Sequence, residues 1–302
     1  MDYDRVIDQA FSRTDLLGDL QLYPFNQLPA DERVVIVHSS LKSLGFVIGG
    51  AETVVRTLLD WVGKDGTLVF PAFSNWLSDP EQWHYPPVAS HLVEKVRNKL
   101  PLFNVDLSQI DTGAIPNMAA RFPGSLRSIH PNSSVLSLGK HAQRIVSAQR
   151  LENSLLPDGP LGQVYALNGW VLSIGTDLST NSSLHLAERW ARGGKGLPYL
   201  GESWKSRVPI ETPQGREWVL LEKEGSCSTG FNRIEPTLRS RGVMSYGKLG
   251  RSYCQFMSQR RLIDETVKIL DGDPLALLCA NPNCPQCSPA WAKYGSGRQR
   301  EW

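Results

Sequence analysis

Several things are scarce in this sequence, and each scarcity narrows the reading. No apolar run approaches the roughly 18 to 20 residues that a membrane-spanning helix needs, so no membrane association is expected. Charge of one sign is not in excess. Lys plus Arg total 32 against 30 for Asp plus Glu, and a formal charge of +2 gives no field that would make nucleic acid the default partner. Cysteine is sparse and odd in number: of five, Cys279, Cys284 and Cys287 crowd into one short segment, which argues against a secreted disulfide framework. Internal repeats and low-complexity tracts are absent, and the acidic start Met1-Asp2-Tyr3-Asp4-Arg5 is unlike a secretory signal, so a cytoplasmic location is expected.

With 302 residues, 41% hydrophobic and 21% charged, the chain can bury a core as one large α/β domain or two modest ones. Val34-Val35-Ile36-Val37 reads as a buried strand. It runs through His38-Ser39-Ser40-Leu41 and the glycines Gly45, Gly49 and Gly50 into the helical pattern Val54, Val55, Leu58, Leu59. Further buried strands are expected at Thr67–Phe70, meeting Pro71, and Trp170–Ile174, meeting Gly175, with function on the loops at their ends. The Trp-, Pro- and His-rich stretch from Ser74 to Ile115, with Trp76, Trp83, His84 and Tyr85, reads as an irregular lobe over a cleft. Alternation from Ser206 to Glu222 about Thr212-Pro213-Gln214-Gly215 predicts a β-hairpin. The expected organisation is an N-terminal segment 1–30, a main domain 31–292 with the lobe at 74–115 and a β insertion at 203–225, and a mobile tail 293–302.

Three segments hold residues suited to chemistry. Thr180-Asn181-Ser182-Ser183 supplies N-cap residues for a helix that carries His185 and Glu188 at i and i+3, on one face. A carboxylate so placed can fix the imidazole tautomer and stabilise the imidazolium, as a general base requires; a surface His/Glu pair has the same spacing. Arg127-Ser128-Ile129-His130-Pro131-Asn132-Ser133-Ser134 packs a cation, an imidazole and hydroxyls beside a proline, suiting phosphate or carbonyl binding, or a self-bonded turn. The loop from His38 to Gly50 would present free amides to an anion but matches neither the Walker pattern nor a full GxGxxG.

The order of these segments resembles the aminoglycoside 3-N-acetyltransferase family, also called the antibiotic N-acetyltransferase family. The likeness runs through Val37-His38-Ser39-Ser40-Leu41 with Gly45 and Gly49-Gly50, Gly66-Thr67-Leu68-Val69-Phe70-Pro71-Ala72-Phe73-Ser74, Asp79-Pro80 with Trp83, Gly113, Arg127-Ser128-Ile129-His130-Pro131, Gly139 and Pro160-Leu161-Gly162. It ends at Ile174-Gly175 and Asn181-Ser182-Ser183-Leu184-His185-Leu186-Ala187-Glu188. The resemblance implies an α/β fold, a single large domain whose central mixed sheet is flanked by helices with an inserted β-hairpin subdomain, distinct from the small GNAT fold. It implies transfer of an acetyl or related acyl group from coenzyme A to an amine of an aminoglycoside or amino sugar. By the same resemblance His185 is the general base and Glu188 its partner. The coenzyme A contacts fall at His38, Ser39, Ser40, Leu41, Ser74, Arg127 and Ser133. Acceptor contacts are expected at Asp79, His130 and Asn181, with Asp79 either a carboxylate for an ammonium or part of a surface turn with Pro80. Ala72 and Asn117 depart from the family's usual Thr and Glu.

Partners are then acetyl-coenzyme A and a small-molecule amine, on a monomer or homodimer. Two other classes have their own signals. A metal-dependent hydrolase would gather His38, His130, His185 and Glu188 about a metal, and a non-catalytic coenzyme A-binding member is prompted by Ala72 and Asn117. Outside the core likeness, Cys279, Cys284 and Cys287 read first as reduced structural thiols; zinc is the alternative, with Cys254 or Cys227 as a fourth ligand.

Overall fold

The computed structural model describes residues 7, 9–30, 33–83, 86–151, 157–200, 205–222 and 227–295. Nine strands occur among them: β1 Val34–Ser39, β2 Thr67–Pro71, β3 Leu126–Arg127, β4 Val135–Gly139, β5 Trp170–Ile174, β6 Lys205–Thr212, β7 Gly215–Glu222, β8 Ser245–Leu249 and β9 Ser252–Ser258. The β-branched run of β1 and the apolar runs of β2 and β5 suit strands covered on both faces, and these three lie side by side and parallel. The full order is β3-β4-β2-β1-β5-β9-β8. The outer strands pair antiparallel, β4 with β2 and β9 with β5, which makes the sheet mixed.

Side chains alternate across the sheet and divide the core in two. Val34, Ile36, Val69 and Val171 lie in one cluster, packed with the helices Pro160–Ala166, Ser183–Trp190, Gln259–Gly272 and Cys287–Tyr294. Val35, Val37, Leu68, Phe70, Leu172 and Ile174 lie in the other, under the helices Arg13–Leu20, Gly50–Val62 and Ala114–Ala119. The helix Gly50–Val62 shows why: Val54, Val55, Leu58, Trp61 and Val62 are buried at helical spacing. This is three layers, helix on sheet on helix, and the large mixed sheet expected from the sequence is what forms.

The outlying pair β6–β7 makes its own two-stranded sheet, closed by Pro213 and Gln214 between Thr212 and Gly215. It touches the lobe through Arg216, whose guanidinium donates to the Arg97 carbonyl at 2.7 Å. Residues 203–204 and 223–225 of the expected insertion lie outside the described residues, as do His84, Tyr85 and the tail from 296 onward. The described residues of the lobe at 74–115 include short 3-10 turns, the helix Val93–Arg97 and the start of the helix Ala114–Ala119. No helix among the described residues is long and apolar enough to cross a membrane.

Candidate active site

β2 lies on one side of β1 and β5 on the other, so the chain leaves β1 in one direction and returns in the opposite one. In a parallel sheet such a switch opens a crevice beyond the carboxyl ends of the strands. A cavity of about 280 Å³ sits there. Val37, His38 and Ser39 line it from the end of β1, Pro71 and Phe73 from β2 and its loop, and Thr176 from just beyond β5. Thr112 and Pro116 close one wall, and Asn181, Ser182, His185 and Ser228 another.

His38 shares the parity of Val34 and Ile36, which turns it toward the layer holding the helix Ser183–Trp190. It is 3% exposed, and burial drives its pKa down to about 4, so the imidazole is neutral at physiological pH. Ser183–Trp190 starts where Asn181 Oδ1 accepts from the Ser183 amide at 3.1 Å. Gln259 pins that start by donating to Ser183 Oγ at 3.0 Å. One turn on, His185 Nδ1 lies 2.8 Å from Glu188 Oε2. The Glu188 side chain is fully buried and that of His185 is 16% exposed, so the carboxylate serves the ring and the ring faces the cavity. Phe231 meets the imidazole edge to face at 4.9 Å between centroids. Asn232 next to it donates to Asp177 Oδ2 at 2.8 Å, tying that wall to the turn before Asn181.

Four buried polar atoms have no hydrogen-bond partner among the described residues and belong to residues lining this cavity: His38 Nε2, Ser39 Oγ, Thr176 Oγ1 and Asn181 Nδ2. Leaving so many buried groups unmade in one place is costly unless a bound molecule or water completes them. Ser39 also borders a second, shallower cavity formed by Ser40, Leu41, Gly45, Phe46 and Gly50. The two hollows therefore meet at the end of β1.

The remaining expected residues are placed differently. Arg127 points inward, donating to Ser108 O at 2.6 Å, Ala72 O at 2.6 Å, Ser74 Oγ at 2.8 Å and Ser134 Oγ at 3.1 Å. Burial lowers its pKa to about 10, partly offset by Asp111. Ser74 spends its own proton on Gln109 O at 2.5 Å. Neither residue lines the cavity; both brace the loops around it. His130 Nδ1 accepts from the Asn132 and Ser133 amides, which folds that loop on itself, and burial lowers its pKa to about 4. Asp79 is bound by Arg97 through Oδ1 at 3.0 Å and Oδ2 at 2.7 Å, and is 4% exposed. Its carboxylate is committed to the lobe's own framework. Ala72 is fully buried and offers its carbonyl to Ser134 and Arg127, while Asn117 braces the loop before Thr112 through Ile110 O at 2.5 Å.

The hydrolase ligand set does not gather, because His130 is turned into its own loop. Among the described residues, clustered metal-ligand atoms occur only at Cys227, Cys279, Cys284 and Cys287. Thr112, Thr176, Ser228 and Phe231 were not singled out from sequence. Thr176 had a signal, since it follows the strand-ending Gly175; the other three reach the site only through tertiary packing.

A mixed sheet with a polar crevice at its switch point, walled by an imidazole–carboxylate helix, has the architecture of an α/β enzyme. Residues 36–271 match the family described as aminoglycoside 3-N-acetyltransferase, and the chain belongs to that family. It is 34% identical over 237 residues to aminoglycoside N(3)-acetyltransferase IX of Micromonospora chalcea, covering 73% of this chain and 80% of that one. It is 32% identical over 232 residues to the SPbeta prophage-derived aminoglycoside N(3')-acetyltransferase-like protein YokD of Bacillus subtilis (strain 168), covering 76% and 83%. The crystal structure of YokD superposes with a TM-score of 0.79 over 90% of this chain and 98% of that one, at 28% identity. A structure of AAC-IIIb in binary complex with CoASH shares the fold, with a TM-score of 0.72, 24% identity and coverage of 87% and 97%.

Proposed function

We propose that this protein transfers an acetyl or related acyl group from coenzyme A to a primary amine of an aminoglycoside or amino sugar, by direct attack with His185 as general base. The observation that carries this is the His185–Glu188 pair opening onto a cavity that joins the glycine-bearing loop after β1 at Ser39. With Glu188 ionised, Nδ1 carries the proton and Nε2 is left to accept one from the incoming ammonium. The freed amine attacks the thioester carbonyl. The C–N bond forms, the C–S bond breaks, and the nitrogen gives up a second proton; of the two protons it loses, one ends on the leaving sulfur as coenzyme A departs and the other passes from His185 to solvent.

Negative charge grows on the thioester oxygen during attack, so a donor must already be waiting. The unpartnered hydroxyl of Ser39 suits that role, whereas the Ser74 hydroxyl is already used internally. His38, kept neutral by burial, offers its unpartnered Nε2 to the acyl group or acceptor. The hollow at Ser40, Leu41, Gly45 and Gly50 is the reading for the pantetheine arm, supported by its continuity with Ser39. Arg127 and Ser74 act as braces of that site, and the family contact at Ser133 falls on the half-buried loop shaped by His130.

The test is free-thiol release from acetyl-coenzyme A against aminoglycosides, amino sugars and nucleotide-linked amino sugars, with His185→Ala alongside. Turnover that vanishes in the variant supports the reading. Coenzyme A binding with no thiol release on any amine overturns it in favour of a non-catalytic family member.

A further inference from the structure

Away from the active site, three chain segments bring four thiols together. Cys227 precedes the 3-10 helix Ser228–Ile234, Cys279 follows the helix Gln259–Gly272 by a short loop, and Cys284 and Cys287 lead into the helix Cys287–Tyr294. All four Sγ atoms lie within 4.8 Å of one another, and all four cysteines are free. The fifth, Cys254, sits in β9 opposite Ile174 and packs in the other core cluster.

We infer that Cys227, Cys279, Cys284 and Cys287 bind one zinc ion as a closed, structural four-thiolate site. Four thiolates at the Zn–S distance of about 2.3 Å stand about 3.8 Å apart in a tetrahedron, so the ion needs the sulfurs to draw in by about 1 Å at most. Thiols that merely filled the core would have no reason to converge on one point from separate segments. Backbone amides already face the sulfurs: Cys279 N donates to Cys287 Sγ at 3.3 Å and Cys287 N to Cys284 Sγ at 3.4 Å. Such N–H contacts spread the charge of metal-bound thiolates. A cation stands close by, since Arg233 donates to Leu278 O at 2.7 Å and lies over the Trp291 ring. Binding displaces the thiol protons and forms four Zn–S bonds without any redox change. With all four positions filled by protein, the ion holds no water for chemistry.

The position of the clip gives it a task. Gly230 packs so tightly against the loop carrying Cys279 that an added Cβ would lie 2.2 Å from Leu277 O and 2.5 Å from Cys279 N. On the same short segment Ser228 lines the cavity and Phe231 edges onto the His185 ring. Zinc therefore fastens the wall beside the candidate base to the C-terminal helix.

The test begins with metal analysis of full-length protein grown in zinc-containing medium and purified without chelators or metal-affinity resin. One zinc per chain is expected. Replacement by Co(II) should give the intense visible d–d bands of a tetrahedral thiolate centre. Cys227→Ser should lose the metal and those bands, while Cys254→Ser keeps both. Native protein that carries no metal and gives no such bands with Co(II) overturns the inference, as does equal metal content in the Cys227→Ser and Cys254→Ser variants. Should the Cys227 variant fail to fold, the wild-type metal count and cobalt spectrum decide alone.

Discussion

At the residue scale the reading turns on one imidazole and the carboxylate behind it. Glu188 is fully buried beside His185, so its charge orients the ring and stabilises its protonated form as the amine is activated. His185→Ala should lower kcat/KM for thiol release by about 10²- to 10⁴-fold with the affinity for coenzyme A unchanged, measured by kinetics and calorimetric titration. Glu188→Gln should lower it by about 10²-fold or more, because an amide holds the ring without its charge. Full activity in His185→Ala removes His185 as the base, and full activity in Glu188→Gln removes the carboxylate's charge from its role. Two other histidines set an acid-side stability slope. His38 and His130 both have pKa values lowered to about 4 by burial, against an ordinary 6.5. Above 6.5 they are neutral folded and unfolded. Between 6.5 and 4 the unfolded chain takes protons that the folded one refuses, so stability falls as pH falls, by on the order of 3 kcal/mol for each, and the slope ends below about 4. His130→Asn keeps an acceptor for the Asn132 and Ser133 amides, and its melting temperature should decline less than that of wild type across that window. An identical decline would mean that His130 does not titrate there.

At the element scale the short helix Ser183–Trp190 and the end of β5 decide the site's shape. Asn181 performs two tasks with one side chain: Oδ1 accepts from the Ser183 amide, and Nδ2 is unpartnered at the cavity. Asn181→Ala should cost about 1 kcal/mol of stability and also raise the acceptor KM. Asn181→Ser keeps an acceptor near the Ser183 amide without burying a charge, and should recover part of that stability in urea unfolding while the KM stays raised. If Ser restored both, Asn181 would serve the helix start alone. Gly175 ends β5 with φ +61°, and a Cβ there would lie 1.9 Å from Ser43 Oγ. Gly175→Ala should therefore destabilise by about 2 kcal/mol or more, from strain plus the clash, with partial recovery on adding Ser43→Gly. The sequence displayed the three parallel strands openly because they are covered on both faces and read as unbroken apolar runs. It also displayed β6–β7, whose alternation breaks at a turn. β3, β4, β8 and β9 were not legible: β3 spans two residues, β4 ends in Gly139, and the half-exposed β8 of Ser-Tyr-Gly-Lys-Leu carries no apolar pattern. The site divided the same way. His185 and Glu188 are neighbours on one helix and legible as spacing, while Arg127 and Asp79 looked available for ligands because nothing local reveals Ser74, Ala72 or Arg97 as their partners.

At the scale of the whole molecule, charge decides which acceptors are favoured. The chain is formally +2, and none of the described residues lining the cavity is Asp or Glu. Hydroxyls, an amide and two imidazoles line it instead; Glu188 is committed to His185, and Asp79, the carboxylate expected to meet an acceptor ammonium, is bound by Arg97. A polycationic aminoglycoside gains affinity and rate from a field of carboxylates, which a site of this composition does not supply. An acceptor with one amine and several hydroxyls matches the donors and acceptors present, and it loses less on leaving water. The expected outcome is a higher kcat/KM for a singly aminated sugar than for kanamycin. For the preferred acceptor, raising salt from about 0.05 M to about 0.5 M should change kcat/KM by less than about threefold, since little of the encounter is steered by charge. Strong kanamycin acetylation that collapses with salt, beside no turnover of simpler amines, would reverse the assignment. It would place carboxylates from outside the described cavity at the acceptor's ammonium groups, and the most direct place to look for them would be the side of the crevice facing the lobe.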